Sequence, residues 1–245
     1  MIRNFVLYYG YKKHEELAEY DLIIIEAGAH SIEDLKKIRS KKSKTVAYMS
    51  FVEIIPGAMM LSKLEDDDFL KDEKNERLMN YDFGNYIVDI RASIWREYIL
   101  DKISELIEVL GYDGIFIDTI TNIERNDLLW RYNFDLHKSY EALLRDIREK
   151  YPEIILIQNN GFNSLIDYSW KYIDYLCWEN PPVTVVECKS WFDITVSKLI
   201  NLKRIAARKD FQIILLEDQN CEPNKTEAYA KKMKWLYYKA NKDYL

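Results

Sequence analysis

Short runs of apolar residues recur along the chain and end in polar side chains. Their length and continuity are typical of strands that are buried on both faces of a parallel sheet. Seven runs are clear and a weaker eighth completes the series. The predicted strands span residues 5–10, 21–28, 44–51, 115–118, 153–161, 173–180, 211–218 and 235–238.

Between these runs, apolar residues return every three or four positions, which predicts amphipathic helices. The helix over 93–110 has the clearest period, with Ser93 predicted to cap its start and Gly111 its end. Ser31 and Asp34 resemble a capping box at the start of another helix. The predicted helices span residues 14–20, 31–41, 93–110, 128–150, 164–171, 191–209 and 226–234.

Eight strands alternating with helices predict an α/β protein, a (β/α)8 TIM barrel formed by one domain over residues 1–245. The alternative, a doubly wound open sheet, usually brings a glycine-rich phosphate loop, and the sequence contains none. Residues 54–85 break the alternation and predict an insertion after strand 3, on the ligand side of the barrel. Such an insertion is either functional or a solvated excursion.

The composition argues against nucleic-acid-binding and membrane proteins. The net charge is −6 without any block of Lys or Arg, so we expect no nucleic-acid partner. No apolar run approaches the roughly 18 residues of a membrane span, so we expect no membrane partner. The start of the chain lacks the apolar region of a signal peptide, which predicts a cytoplasmic protein, or an extracellular one if a signal was removed. Nothing indicates the oligomeric state.

The cysteines and histidines do not form a recognisable site. The three cysteines lack metal-ligand spacing and are predicted to be free thiols, and the three histidines are scattered. We therefore expect no metal ion and no cofactor. Catalysis by a Ser-His-Asp or Cys-His arrangement would find no histidine at a strand end.

A barrel brings the carboxyl ends of all its strands to one face, where ligands bind. The predicted strand ends are rich in carboxylates, amides and aromatic rings, which suit a neutral or cationic polyhydroxylated ligand better than a phosphate ester. Trp178 either packs in the core or offers a flat face to a sugar. The strand-end residues proposed to contact substrate are Tyr8, Tyr9, Glu26, Glu53, Gln158, Asn159, Trp178 and Glu217.

Two of the strand-end carboxylates form the best catalytic pair. Asp118 and Glu179 end strands four and six, which are two apart around the barrel, so their carboxyl groups can face each other. Glycoside hydrolysis needs such a pair, with one group ionised and the other protonated. Glu179 follows Cys177 and Trp178, an apolar setting that favours the protonated form and so the role of acid. Asp118 would then be the nucleophile of a retaining reaction, unless it only caps the next helix.

An ordered set of motifs resembles glycoside hydrolase family 114, the endo-α-1,4-polygalactosaminidase-like barrels. The most specific motif is Gly111-Tyr-Asp-Gly-Ile-Phe-Ile-Asp118, and the set covers nearly the whole chain. The other segments are Tyr8-Tyr-Gly10, Asp21-Leu-Ile-Ile-Ile-Glu26, Val46-Ala-Tyr48-Met-Ser50 with Glu53, Val88-Asp89-Ile-Arg91 with Trp95, Ile157-Gln-Asn159 with Gly161, and Glu179.

The resemblance implies a (β/α)8 fold and retaining hydrolysis of α-1,4-linked, galactosamine-containing polysaccharide. It assigns Asp118 as nucleophile and Glu179 as acid/base, and it adds Tyr48, Asp89 and Arg91 to the residues expected in the cleft. The chain departs from the family pattern at Glu26, Val52 and Asn180. A carbohydrate-binding barrel without catalysis and a glycosidase for a different sugar are the alternative functions.

Overall fold

The structure is a computed structural model that describes residues 2–125, 128, 131–132, 135–183, 188–205, 211–218, 225–241 and 244. Its eleven described strands form one eight-stranded parallel sheet and one three-stranded sheet. In chain order the strands are β1 (Phe5–Tyr8), β2 (Leu22–Glu26), β3 (Lys44–Ser50), β4 (Glu53–Ile54), β5 (Met79–Asn80), β6 (Asn85–Ile87), β7 (Gly114–Asp118), β8 (Ile155–Asn159), β9 (Tyr175–Glu179), β10 (Gln212–Glu217) and β11 (Leu236–Lys239).

The large sheet is a nearly closed barrel. Its strand order is β1-β2-β3-β7-β8-β9-β10-β11, and every adjacent pair in this order is parallel. The two outer strands meet across the remaining seam. There the rings of Phe5 and Tyr238 lie 5.8 Å apart, and the N–H of Tyr9 donates to the carbonyl of Tyr244 at 2.9 Å. The predicted (β/α)8 barrel is confirmed.

Helices connect the strands, close to where the periodicity predicts them. The capping box of Ser31 and Asp34 is confirmed, whereas Ala92 and not Ser93 occupies the N-cap of its helix, without a side-chain hydrogen bond. The described α-helices are His14–Leu17, Ile32–Ile38, Ser93–Ser104, Asp135–Lys150, Phe162–Ser164, Lys189–Ile205 and Lys225–Met233. π-helical turns extend two of them, at Glu105–Val109 and Leu165–Ser169. Among the described residues, no helix is long and apolar enough to cross a membrane.

The core has two layers, because side chains alternate between the two faces of each strand. One layer fills the barrel interior and the other lies between the barrel and the helices. Cys177, a free and fully buried thiol, belongs to the interior layer; Cys188 is also free, and Cys221 lies outside the described residues. The interior layer comprises Phe5, Leu7, Leu22, Ile24, Val46, Phe116, Ile157, Cys177, Ile214 and Leu216.

The predicted insertion after strand 3 contains the small sheet. Strands β4, β6 and β5 pair antiparallel in that order, with β4 directly after β3 in the chain. Strand β6, Asn85–Ile87, is the central strand of this sheet. A tight turn joins β5 to β6, and its tip carries Tyr81 and Phe83, both highly exposed.

The two glycines of the Gly111–Asp118 motif are required for different physical reasons. Gly111 adopts a left-handed backbone with φ of 74°, which closes the preceding helical segment as predicted. Gly114 is the first residue of β7. A Cβ at Gly114 would lie 2.1 Å from the carbonyl oxygen of Ile155 on β8, so only glycine allows these strands to pair this closely.

We expect Gly114→Ala to lower the free energy of unfolding by about 2 kcal/mol, the usual scale for overpacking a core. Urea denaturation followed by circular dichroism measures this change. The clash includes backbone atoms of Ile155, so the double variant Gly114→Ala/Ile155→Ala is expected to remain destabilised. A Gly114→Ala protein with the stability of the wild type would contradict this explanation.

Candidate active site

One cavity opens at the carboxyl ends of the barrel strands, and its volume is about 630 Å³. This volume lies within the roughly 300–1,000 Å³ range of small-molecule sites. Strand ends supply its floor, and the insertion and the segment after β7 supply its walls. The lining residues are Tyr9, Glu26, Tyr48, Glu53, Asn80, Phe83, Asn85, Asp118, Thr119, Thr121, Asn122, Asn159, Asn160, Glu179 and Tyr244.

The carboxylate of Asp118 lies at the end of β7 and accepts one hydrogen bond on each oxygen. The hydroxyl of Tyr48, on the adjacent β3, donates to Oδ2 at 2.6 Å. The side-chain amide of Asn159, on β8, donates to Oδ1 at 2.9 Å. Both donors are neutral, so they orient the carboxylate without forming an ion pair with it.

The carboxylate of Glu179 lies at the end of β9 and has a matching pair of partners. The same Nδ2 of Asn159 donates to Oε2 at 2.8 Å, and the hydroxyl of Tyr244 donates to Oε1 at 2.5 Å. A tyrosine hydroxyl can also accept a hydrogen bond, whereas an amide nitrogen cannot. Tyr244 can therefore serve Glu179 in its ionised and in its protonated form.

The shared amide fixes the spacing of the two carboxylates. Oδ1 of Asp118 and Oε2 of Glu179 can be no more than 5.7 Å apart, because they lie 2.9 and 2.8 Å from the same nitrogen. The two N–H bonds of a planar amide diverge, so the oxygens are roughly 5 Å apart. A single molecule or bond placed between them would be within reach of both groups.

The residue after Asp118 has an unusual backbone. Thr119 adopts a left-handed conformation with φ of 70°, which is strained for a β-branched side chain. Its hydroxyl lies 3.0 Å from the hydroxyl of Ser50 and accepts the N–H of Val52 at 3.1 Å. These contacts join the end of β7 to the end of β3, so the strained residue is held where it sets the exit direction after Asp118.

Glu53 binds the insertion to the barrel. Its Oε1 accepts the side-chain amides of Asn80 and Asn122 at 2.8 and 2.6 Å, and its Oε2 accepts that of Asn85 at 2.8 Å. The side chain is buried, so removing these donors would leave a charge without compensation. Glu53 therefore acts first as an anchor for the walls of the cavity.

The cavity is electronegative. Among its described lining residues are the carboxylates Glu26, Glu53, Asp118 and Glu179, and none is a Lys, Arg or His. Burial and the charge of Asp118 raise the pKa of Tyr48 well above its ordinary value. Burial and the charge of Glu179 do the same for Tyr244. Both phenols thus remain hydrogen-bond donors over any pH at which the protein would work.

The structure brings seven of the sequence-predicted site residues to the cavity. They share one property: their side chains lie on the interior face of their strand or just beyond a strand end. These residues are Tyr9, Glu26, Tyr48, Glu53, Asp118, Asn159 and Glu179.

Four other predicted residues lie on the outer face of the barrel strands and do not line the cavity. Tyr8 and Trp178 belong to the layer between barrel and helices, where Trp178 packs against Phe192 with ring centroids 5.2 Å apart. Gln158 is buried and accepts the hydroxyl of Tyr140 at 3.0 Å. Glu217 is buried too and accepts the hydroxyl of Thr226 at 2.7 Å.

Asp89 and Arg91 also lie outside the cavity lining. They form an ion pair with each other, with Nη2 of Arg91 2.6 Å from Oδ2 of Asp89. The guanidinium of Arg91 also lies over the ring of Tyr132, 4.4 Å from its centroid. These contacts brace the loop that follows β6, so the structure does not support the predicted substrate contacts of Asp89 and Arg91.

Sequence reasoning missed the cavity residues that lie outside the eight barrel strands. Asn80, Phe83 and Asn85 come from the insertion, where the sequence shows no period, and Asn122 comes from the short helical segment after Thr119. Tyr244 follows the last strand, so a prediction based on strand ends does not include it. The Asn residues flanking the 81–84 turn were a usable signal, since such turns favour Asn and Gly.

Two carboxylates facing each other at the carboxyl ends of the strands are the arrangement that glycoside hydrolysis requires. The sequence profile described as glycoside-hydrolase family GH114 matches residues 4–229, and the chain belongs to this family. The resemblance inferred from the motifs is thereby confirmed. No curated protein sequence matches the chain.

Solved structures share the fold at low sequence identity. The glycoside hydrolase domain of PelA from Pseudomonas aeruginosa is 16% identical with a TM-score of 0.77, and the match covers 98% of this chain and 95% of that one. Ega3 of Aspergillus fumigatus, solved in complex with galactosamine, is 12% identical with a TM-score of 0.67, covering 97% and 89%.

Glu124 offers a test of how the segment after Asp118 is anchored. Its Oε1 accepts the N–H of Ser164 at 2.6 Å. Burial raises the pKa of its carboxyl above the ordinary value of 4.5, and the bonds to Ser164 offset only part of this shift. The stability that the protonated form provides is present below about pH 4.5 and is lost as the pH rises through the folded-state pKa.

We therefore expect Glu124→Gln, which has no charge to bury, to be more stable than the wild type at pH 8 by about 1 kcal/mol. The difference should shrink towards pH 4, and urea denaturation at the two pH values measures it. The exposed Glu153→Gln is the control. A stability difference that does not change with pH would rule out the burial explanation.

Proposed function

We propose that this protein is a retaining glycoside hydrolase that cleaves α-1,4-linked, galactosamine-containing polysaccharide. Asp118 is the nucleophile and Glu179 is the general acid and base. Carbohydrate is the only partner that this role requires.

The spacing of Asp118 and Glu179 carries the proposal. Retaining enzymes hold their two carboxyl groups about 5–5.5 Å apart, whereas inverting enzymes leave about 6.5–9.5 Å for a water molecule. The bridge through Asn159 limits the facing oxygens to 5.7 Å or less. This distance supports direct attack by one carboxylate over activation of water on the far side of the sugar.

Hydrogen-bond donors orient both carboxylates. Asp118 receives Tyr48 and Asn159, two neutral donors that hold its carboxylate in a fixed orientation facing Glu179. Glu179 receives Asn159 and Tyr244, and the Tyr244 hydroxyl can also accept a hydrogen bond from the protonated carboxyl; because Tyr48 gives Asp118 a similar partner, the assignment of Glu179 as acid rests on the family resemblance. A group that alternates between acid and base needs a partner of this kind.

The reaction then runs in two balanced steps. The carboxylate of Asp118 attacks the anomeric carbon while Glu179 gives its proton to the departing glycosidic oxygen, which leaves a covalent glycosyl–enzyme ester and a shortened polymer. Glu179, now ionised, takes a proton from water, and the resulting hydroxide attacks the anomeric carbon and releases Asp118. Two inversions give net retention.

The charge of the cavity supports an amino-sugar substrate. Four carboxylates line it, and the described lining contains no cation, so a protonated amine gains attraction where an anionic sugar would be repelled. The structural relative Ega3 was solved with galactosamine. Glu26 accepts no side-chain hydrogen bond from the described residues and lines the cavity, so it is the carboxylate available to an ammonium group.

We expect Asp118→Ala and Glu179→Ala each to lower turnover of partly deacetylated α-1,4-galactosaminogalactan at least about 1,000-fold, as loss of a central catalytic group does. Mass spectrometry of the released oligosaccharides measures turnover, and thermal melting checks the fold. Glu153→Gln, at the opposite end of the barrel, should remain fully active. A folded Asp118→Ala enzyme with normal turnover would eliminate the assignment.

Added azide separates the two roles. In Asp118→Ala, azide replaces the nucleophile and gives a glycosyl azide of inverted configuration. In Glu179→Ala, azide attacks the glycosyl–enzyme ester and gives the retained configuration. Proton NMR of the product distinguishes the two, and the opposite pattern would exchange the roles of the two residues.

Glu26→Gln tests the substrate's amine. We expect KM for the deacetylated polymer to rise about three- to fivefold, the scale of a solvent-exposed ion pair, with kcat little changed. KM for short, fully N-acetylated oligomers should not change, since their amide nitrogen carries no charge. An equal effect on both substrates would show that Glu26 does not read the amine.

A further inference from the structure

The turn between β5 and β6 presents two aromatic rings to solvent. Tyr81 is 87% exposed and Phe83 is 76% exposed, although core packing is available to most aromatic residues of this chain. Phe83 also lines the cavity that contains Asp118 and Glu179. An exposed ring at the rim of a polar cleft contributes nothing to the core and is available to a ligand.

The turn is held rigidly over the cleft. The carbonyl of Asn80 accepts the N–H of Gly84 at 2.7 Å and that of Phe83 at 3.3 Å, and Gly84 has a φ of 70° that suits the turn. The side chains of Asn80 and Asn85, at the two ends of the turn, both donate to the buried Glu53. A rigid position matters because binding then costs little ordering of the turn.

We propose that Phe83 is a stacking platform for a sugar unit of the polymer outside the pair of units that flank the scissile bond. This inference rests on the proposed function and adds a subsite to it. The ring face attracts the C–H face of a hexosamine and also its protonated amine. Tyr81, on the same turn, can extend the platform along the chain.

The shared cavity favours a polysaccharide over a protein partner at this turn. Phe83 and the carboxylate pair line one continuous space of about 630 Å³, larger than a single sugar occupies. A protein bound on Phe83 would cover the entrance to the carboxylates. A linear polymer can occupy both places at once, because its units continue on either side of the bond that is cut.

Binding of galactosamine oligomers to a catalytically inactive enzyme tests the subsite. The probes are the α-1,4-linked dimer and hexamer, titrated calorimetrically into Asp118→Asn protein, with Glu179→Gln as a second inactive background. Adding Phe83→Leu should weaken hexamer binding roughly three- to tenfold and leave dimer binding unchanged. Phe83→Trp, which keeps a flat ring, should stay within about twofold of the parent for the hexamer.

Met59→Ala is the matched control, since Met59 is an exposed apolar residue of the same insertion that does not line the cavity. It should leave both affinities unchanged. Equal binding of the hexamer with and without Phe83→Leu, or equal weakening of dimer and hexamer, would overturn the subsite. So would a Phe83→Trp variant that binds the hexamer as weakly as Phe83→Leu.

The outcome for the proposed function is read separately, from polymer cleavage by the wild type. Cleavage without a Phe83 effect overturns only the subsite. A Phe83-dependent preference for the hexamer without cleavage overturns only the hydrolase. If no oligomer binds and no polymer is cut, both are overturned.

Discussion

One amide holds the candidate active site together. Asn159 donates both of its N–H bonds, one to Asp118 and one to Glu179, and is itself buried in the floor of the cavity. Two carboxylates this close repel each other, and a neutral donor between them lowers that cost without cancelling either charge. An Arg or Lys in this position would fix the spacing equally well but would neutralise the charge of the carboxylates. The barrel makes the bridge possible because β8 lies between β7 and β9.

The four carboxylates of the cavity differ in what surrounds them, and this decides what each can do. Glu53 accepts three amide donors and is committed to holding the insertion. Asp118 and Glu179 each accept two neutral donors, which orient them and leave them reactive. Glu26 lines the cavity near the solvent and accepts no side-chain bond from the described residues. The number of donors therefore separates the anchoring Glu53 and the unbonded Glu26 from the facing pair Asp118 and Glu179.

The barrel and the two facing carboxylates, Asp118 and Glu179, were predictable because they depend on local signals. Apolar runs between helical periods indicate strands, and the residue at each strand end must lie at the ligand face. What the runs could not give is which of two successive residues faces inward, since both faces of a barrel strand are apolar. Tyr8, Gln158, Trp178 and Glu217 were included for this reason, and each lies one position out of phase with a residue that faces the interior.

Which residues of the neighbouring strands face the interior follows once the orientation of one residue is known. If Asp118 faces inward, then Phe116 does too, and the register of β7 with β8 and of β8 with β9 assigns Asn159 and Glu179 to the interior. Pairing register depends on contacts between distant parts of the chain, so the sequence of one strand does not contain it. The position of the insertion depends even more strongly on contacts between distant parts of the chain. The insertion is held over the cleft by hydrogen bonds from three asparagines, in two separate segments, to Glu53. The sequence of residues 54–85 has no periodicity from which these hydrogen bonds could be predicted. The walls of the cleft, and with them the length of polymer it can hold, are therefore set by tertiary polar contacts, while its floor is set by the barrel.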